Sequence, residues 1–127
     1  MIKFIFYFML FSCIKIAAQK IEIEAIEQYK VKSNNLTDLK LNFNKLKKSI
    51  HRNEAFVLEI QPINDCLKDL EGAIMFAPTI IDLKTNQSIE ITINYEMVNR
   101  KCFKWRIKTI KNKEIIFSEW NFHSFVR

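Results

Sequence analysis

Apolar and polar residues alternate with a period of two where the chain leaves its apolar N-terminus. The segment KIEIEAIEQYKVK, residues 20–32, places isoleucines between glutamates, and then a tyrosine and a valine between lysines. The alternation changes face near Ala25 and Ile26. Because successive side chains of a strand point to opposite faces, this pattern predicts an N-terminal β-strand.

A spacing typical of a helix follows the turn-forming Ser-Asn-Asn at residues 33–35. Apolar residues then recur at steps of three, four, three and four, which lines one side of a helix. These residues are Leu36, Leu39, Phe43, Leu46 and Ile50. We predict an amphipathic helix over about residues 36–50. A strand through Leu39, Leu41 and Phe43 is the alternative.

The remainder of the chain has β patterns separated by turns. Residues 55–60, AFVLEI, predict a strand that is closed by Pro62. Residues 73–83 are largely apolar. Pro78 limits them to an edge strand, a β-bulge or a break between strands, because proline has no N–H to donate to the hydrogen bonds of a sheet. From about residue 89 onward, the pattern predicts three further strands in an antiparallel meander.

The last predicted hairpin turns at residues 112–113, Asn-Lys, since asparagine tolerates the positive φ of a two-residue turn. This turn places Trp105 opposite Trp120. It also places Arg106 opposite Glu119. We therefore expect both indoles on one face of the sheet and the charged pair on the other.

The hairpin before it is predicted to turn over three residues, 99–101, because only that length keeps the faces in phase. Tyr95 would then lie opposite Trp105, and Glu96 opposite Lys104. The two hairpins agree on which face is aromatic, so we expect a helix to cover that face.

A strand, a helix and then an antiparallel meander is the element order of the cystatin-like and NTF2-like cone folds, which this chain resembles in topology. Inhibitory cystatins carry a Gln-x-Val-x-Gly hairpin that has no match here, so the resemblance implies no protease inhibition. We predict one α+β domain over residues 19–127. An all-β immunoglobulin-like sandwich is the alternative, if residues 36–50 are extended.

The first eighteen residues have the three parts of a secretory signal peptide. Met1 to Lys3 is a short basic start, Phe4 to Ile14 is apolar, and small residues precede a cut behind Ala18. The apolar run ends too early for the roughly 20 residues of a membrane span. We expect a secreted or periplasmic protein, with no membrane span in the mature chain. Lipid anchoring through Cys13 is the alternative.

Two cysteines remain after that cut, Cys66 and Cys102, and an exported pair of this kind predicts a disulfide. Two free buried thiols are the alternative. The whole chain has 20 basic and 14 acidic residues, a net charge of +6. Loss of Lys3 and Lys15 leaves 18 against 14, or +4. That modest charge, together with export, argues against nucleic acid as the normal partner.

The sequence lacks the usual patterns of catalysis and cofactor binding. One glycine in the chain excludes the glycine-rich loops that cradle phosphates. The two histidines and the two mature cysteines do not have zinc-ligand spacing. We therefore predict no catalytic residues, no metal and no cofactor. The leading hypothesis is a small, non-catalytic binding module that acts on a protein or a cell-envelope component.

Two alternative functions have candidate residues. A polyanion such as a glycan or lipopolysaccharide could bind along a basic strand face. The residues of that face are Lys104, Arg106, Lys108, Lys111 and Lys113. A small-molecule or enzymatic NTF2-like cone would instead enclose a cavity. Its candidate lining residues are Asp65, Tyr95 and His123.

Overall fold

A computed structural model describes residues 25–64, 66, 76–85 and 89–126. The predicted signal peptide lies outside the described residues, and so do Cys13 and Asp65. The elements are β1 (Glu27–Ser33), β2 (Leu36–Asn42), α1 (Lys47–Arg52), β3 (Ala55–Ile63), β4 (Thr79–Asp82), β5 (Glu90–Ile93), α2 (Tyr95–Val98), β6 (Cys102–Lys111), β7 (Glu114–Phe117) and β8 (Asn121–Ser124), with a short 3-10 helix, Asn44–Leu46, before α1.

The strands form two antiparallel sheets, as the alternating patterns predict. The first sheet has the order β1-β2-β5. The second has the order β4-β3-β6-β7, and β8 also pairs with β6. Within the described residues no helix is both long and apolar enough to pass through a membrane.

The predicted helix over residues 36–50 is wrong, because its first half is the strand β2. Leu39 and Leu41 are both buried, which fits a period of two and not a helix. Asn34 and Asn35 have positive φ angles of 47° and 66°, so they turn the chain between β1 and β2 instead of capping a helix. The alternative strand prediction is therefore confirmed for Leu39 and Leu41, whereas Phe43 lies just beyond the end of β2.

The cone topology is not confirmed, since the described part of the chain has no helix longer than the six residues of α1. Such a cone needs one long helix against the concave face of its sheet. Here the inner faces of both sheets contribute to a single apolar cluster. The first sheet supplies Leu39, Leu41, Ile91 and Ile93, and the second supplies Phe56, Leu58, Ile60, Phe103, Trp105 and Ile107. The molecule is thus a β-rich, two-layer structure.

The predicted hairpin between β5 and β6 is also wrong. Asn94 accepts a hydrogen bond from the Met97 N–H at 3.0 Å and caps the short helix α2, so the chain leaves the first sheet here. β5 consequently pairs with β2, while β6 pairs with β3. Tyr95 lies in α2 and contacts the ring of Phe125, with centroids 5.8 Å apart, instead of Trp105.

The predicted disulfide joins Cys66 to Cys102, with the Cα atoms 5.9 Å apart. Cys102 is completely buried at the start of β6. Because Cys66 lies shortly after β3, the bond links the ends of two neighbouring strands of the second sheet. The prediction of two free thiols is excluded.

Candidate functional site

β6 divides its side chains between the two sides of the second sheet. Phe103, Trp105 and Ile107 are completely buried in the core. The intervening residues Lys104, Arg106 and Lys108 therefore lie on the opposite side, as their alternation predicts. We refer to this side, which turns away from the core, as the outer face of the second sheet.

The predicted turn at residues 112–113 is confirmed. Asn112 and Lys113 have φ angles of 51° and 65°, which the two-residue hairpin turn requires. In the resulting register Lys108 lies opposite Phe117. This places an aromatic ring of β7 on the outer face.

A β-bulge interrupts the next part of the same edge. Phe117 lies opposite Lys108, whereas Asn121 lies opposite Trp105. Residues 118–120 therefore lie opposite only two residues of β6, 106–107, and the register shifts by one residue. Such an extra residue bends the strand and reverses the faces of the residues that come after it.

Ser118 fixes the bulge through its side chain and its backbone. Its Oγ accepts a hydrogen bond from the Ile107 N–H at 2.7 Å, and its own N–H donates to the Ile107 carbonyl at 2.8 Å. The Oγ hydroxyl also donates to the Glu119 carbonyl at 3.1 Å. These bonds satisfy the backbone N–H and C=O groups of Ile107, which the irregular pairing would otherwise leave without partners.

The bulge overturns the predicted pairing of the two indoles. Trp105 is 0% exposed in the core, whereas Trp120 is 36% exposed on the outer face. Two residues that a regular hairpin would place side by side therefore lie on opposite sides of the sheet. The same shift directs Phe122 outward and His123 inward.

Cationic and aromatic side chains alternate on the outer face. The Lys104 Nζ lies 4.3 Å from the Trp120 ring centroid. The Arg106 guanidinium carbon lies 4.2 Å from the Trp120 centroid and 4.0 Å from that of Phe117. The Lys108 Nζ lies 6.0 Å from the Phe117 centroid. We refer to these five residues as the cation–aromatic ladder, since each contact is within cation–π range.

An ion pair with β3 also holds the centre of the ladder. Arg106 Nε donates to Glu59 Oε2 at 2.7 Å, and both side chains are largely buried. The predicted partner, Glu119, is wrong, because Glu59 lies directly opposite Arg106 in the β3–β6 register. The guanidinium is thus held by a carboxylate and by two rings, which restricts its movement.

The predicted pair of Lys104 with Glu96 is wrong as well. Lys104 lies between Gln61 on β3 and Phe122 on β8, and only 8% of the residue is exposed. Gln61 in turn donates a hydrogen bond to the carbonyl of Phe76, so the 76–78 segment approaches this end of the outer face. Lys104 therefore has little contact with solvent.

The structure brings together only part of the predicted polyanion site. Lys104, Arg106 and Lys108 share the ladder, where their cations lie against aromatic rings. Lys111 and Lys113 are exposed at the β6–β7 turn, beyond the end of the ladder. Polyanion binding stays a prediction, and the residues at the centre of its proposed face are already engaged within the sheet.

Apolar side chains extend the ladder into a patch. Ile80 of β4 lies opposite Glu59 of β3, and Ile115 of β7 lies opposite Ile110 of β6. The exposed large apolar residues of the outer face are Ile80, Ile115, Phe117, Trp120 and Phe122. Clusters of this kind on a folded protein mark interaction sites more often than isolated exposed residues do.

Two of the predicted pocket residues, Tyr95 and His123, contact the ring of Phe125, with centroids 5.8 Å and 5.4 Å apart. An open cleft beside β1 is lined by His123 but not by Tyr95. His123 Nε2 donates to the Thr37 carbonyl at 2.7 Å. Burial lowers the pKa of His123, which favours the neutral ring. Among the described residues, no three His, Cys, Asp or Glu side chains are grouped to hold a metal ion.

No protein-family model matches this chain, and no curated protein sequence matches it either. Function is therefore inferred from two features of the molecule, the outer face of the second sheet and the cleft beside β1.

Proposed function

We propose that the protein is a small secreted or periplasmic binding module without catalytic activity, and that it acts on a protein of the cell envelope. The outer face of the second sheet is the proposed binding surface. The partner surface would be acidic and partly apolar. The observation that carries this proposal is the row of exposed apolar side chains around the cation–aromatic ladder.

The strand order supports a binding module of the sandwich type. The orders β1-β2-β5 and β4-β3-β6-β7 resemble the A-B-E and C′-C-F-G sheets of immunoglobulin-like domains, which was the alternative prediction for the fold. Fold likeness alone does not assign a function. It does supply a sheet whose outer side has exposed apolar side chains among the described residues.

The composition of the outer face favours a protein partner. Tryptophan, phenylalanine and arginine are enriched in protein interfaces, and tryptophan and arginine dominate their hot spots. Trp120, Phe117 and Arg106 already restrain one another through contacts of 4.0–4.2 Å. Little side-chain entropy would be lost on binding, because these groups are ordered beforehand.

The ladder also disfavours stacking of sugars or bases on these rings. A stacking ligand needs a free ring face. Lys104 and Arg106 both lie over the Trp120 ring, and Arg106 also lies over Phe117. A ligand that stacks would have to displace a cation, whereas a protein surface can pack on the ring edges and the neighbouring isoleucines.

Charge favours an acidic partner surface. Lys104 and the ion-paired Arg106 are largely buried, so the half-buried Lys108 and the exposed Lys111 and Lys113 supply the accessible positive charge beside the patch. The net charge of the whole chain is +6. Complementary charge of this kind mainly raises the association rate and excludes wrong partners.

We predict that Ile115→Ser combined with Trp120→Ala removes partner binding. The immobilised wild-type protein should capture a saturable partner from a native envelope extract, and the double variant should retain less than a tenth of it. Loss of one hot-spot side chain costs about 2 kcal/mol or more of binding free energy, roughly a thirtyfold change in affinity. Quantitative mass spectrometry of the captured proteins is the measurement.

Tyr29→Ser with Val31→Ser is the matched control, because it removes two exposed apolar side chains from β1 in the first sheet. This control should capture as much partner as the wild type. Equal capture by all three proteins would contradict the proposed surface.

Heparin retention separates the polyanion alternative from this proposal. If the basic face binds a polyanion, Gln substitutions at Lys108, Lys111 and Lys113 should abolish retention, while the Ile115 and Trp120 substitutions should not. Partner capture that survives the Gln substitutions but not the apolar ones supports the protein interface. The reverse pattern supports polyanion binding.

A further inference from the structure

An open cleft of about 490 Å³ lies between β1 and the end of β8. Lys30 and Lys32 line it from β1, and His123 and Ser124 line it from β8. Its volume is in the range of small-molecule sites. The cleft does not include the residues of the cation–aromatic ladder.

The two lysines face inward because of the β1–β2 register. Lys30 lies opposite Leu39, and Lys32 lies opposite Thr37. Directly opposed residues share a face of the sheet, and Leu39 points into the core. Lys30 and Lys32 therefore lie on the inner side of an edge strand, where the core ends and the cleft begins.

Inward-pointing charge on an edge strand commonly prevents edge-to-edge pairing with another molecule. That role needs a charge but no cavity. Here two ammonium groups border the same cleft, and no carboxylate of the described residues lies within ion-pair distance of either.

The opposite wall contributes polar and apolar groups. Ser124 adds a hydroxyl, although that hydroxyl already donates to the Val126 carbonyl at 2.7 Å. Phe122 and Val126 add exposed apolar surface at the rim. An anion with an apolar portion would contact both kinds of group.

We propose that this cleft binds a small organic anion, with a phosphate or carboxylate group between Lys30 and Lys32 and an apolar portion against Phe122 and Val126. This site shares the rim residue Phe122 with the outer face but none of the ladder residues, and it does not depend on the protein partner proposed above.

His123 supplies a reporter of the bound charge. Its buried ring forms part of the cleft wall. Burial and the charge of Lys30 lower the pKa of His123, while the hydrogen bond with Thr37 and the charge of Asp38 raise it. An anion between the lysines favours the imidazolium, so binding should raise the pKa of His123.

Octyl phosphate is the probe for this site, with inorganic phosphate and the neutral octyl glucoside for comparison. In an NMR titration of the purified protein, we expect octyl phosphate to saturate, shift the His123 ring signals and raise the pKa of His123. Inorganic phosphate should shift the same signals at higher concentration, since it lacks the apolar chain. Octyl glucoside should leave them unchanged.

Lys30→Gln with Lys32→Gln should weaken octyl phosphate binding at least tenfold. Lys47→Gln with Lys48→Gln on α1 changes the net charge equally and should leave binding unchanged. Equal weakening by both pairs would show only general charge attraction and would overturn the site. Equal shifts by octyl glucoside would overturn the anionic headgroup, and unchanged His123 signals would overturn the location.

The Ile115→Ser and Trp120→Ala variant distinguishes this site from the proposed protein interface. It should bind octyl phosphate as the wild type does, even where it has lost partner capture. Loss of octyl phosphate binding in that variant would contradict two separate sites.

Discussion

Replacing Cys66 and Cys102 together by alanine should lower the free energy of unfolding by about 4 kcal/mol. The disulfide spans a sequence separation of 36 residues and so closes a loop of 37 in the unfolded chain. Without it, the unfolded state gains the entropy of that loop, while the neighbouring strands β3 and β6 lose their covalent link. Urea unfolding followed by far-UV circular dichroism measures the change.

Reduced wild-type protein is the control for this experiment. It should unfold at nearly the same urea concentration as the double alanine variant, because both lack the bond and differ only in two thiols, of which Cys102 is buried and Cys66 is half-buried. A decrease of less than about 1 kcal/mol would mean that the bond contributes little of the entropy expected for its loop length.

Trp105→Ala should lower the free energy of unfolding by about 3–5 kcal/mol, whereas Trp120→Ala should lower it by about 1–2 kcal/mol. Trp105 is 0% exposed and its removal leaves a cavity in the core shared by both sheets. Trp120 is 36% exposed, so its removal costs mainly its contacts with Lys104 and Arg106. The same urea measurement compares the two variants.

Trp105→Phe provides the matched control for the core. It keeps an aromatic ring in the core, and it removes a buried indole N–H that has no hydrogen-bond partner among the described residues. We therefore expect it to cost less than half as much as Trp105→Ala. Equal destabilisation by the two alanine variants would contradict the placement of the indoles on different sides of the sheet.

The local patterns of the chain predicted the turn at residues 112–113 and most of the antiparallel strands, but not β2 or the connection between β5 and β6. Asn112 and Lys113 formed the expected two-residue turn because their positive φ angles depend only on neighbouring residues. The strand–helix choice at β2 was harder, since Leu39 and Phe43 fit both periods. Leu41, which is completely buried, fits only the strand. Its burial depends on pairing with β5, about fifty residues away along the chain.

The bulge could not be predicted from alternation, since aromatic residues occur on both sides of it. Phe117 and Phe122 both face outward, although they are an odd number of positions apart in the sequence. Ser118 gives no strong local signal, because its role depends on a hydrogen bond with Ile107 on the neighbouring strand. One indication of irregular pairing was present in the sequence. Ile115 and Phe117 are apolar, yet a regular hairpin already places them on the polar side of the sheet.

The candidate sites depend on the same long-range pairing. The sequence displays the basic and aromatic residues of the outer face, but the ladder requires the bulge to bring Trp120 beside Arg106. The cleft requires β1 to lie near β8, which no turn or period predicts. His123 was a predicted pocket residue, whereas Lys30 and Lys32 appeared only as the polar side of a strand.

The placement of the two indoles on opposite sides of the second sheet is the central claim, because the core, the ladder and the proposed protein interface all depend on it. Iodide quenching of tryptophan fluorescence tests it directly, since the chain has two tryptophans and Trp120 lies beside cations that attract iodide. We predict strong quenching of the wild type and almost none after Trp120→Phe, which leaves only Trp105. Quenching that persists at the wild-type level in Trp120→Phe would contradict this structure.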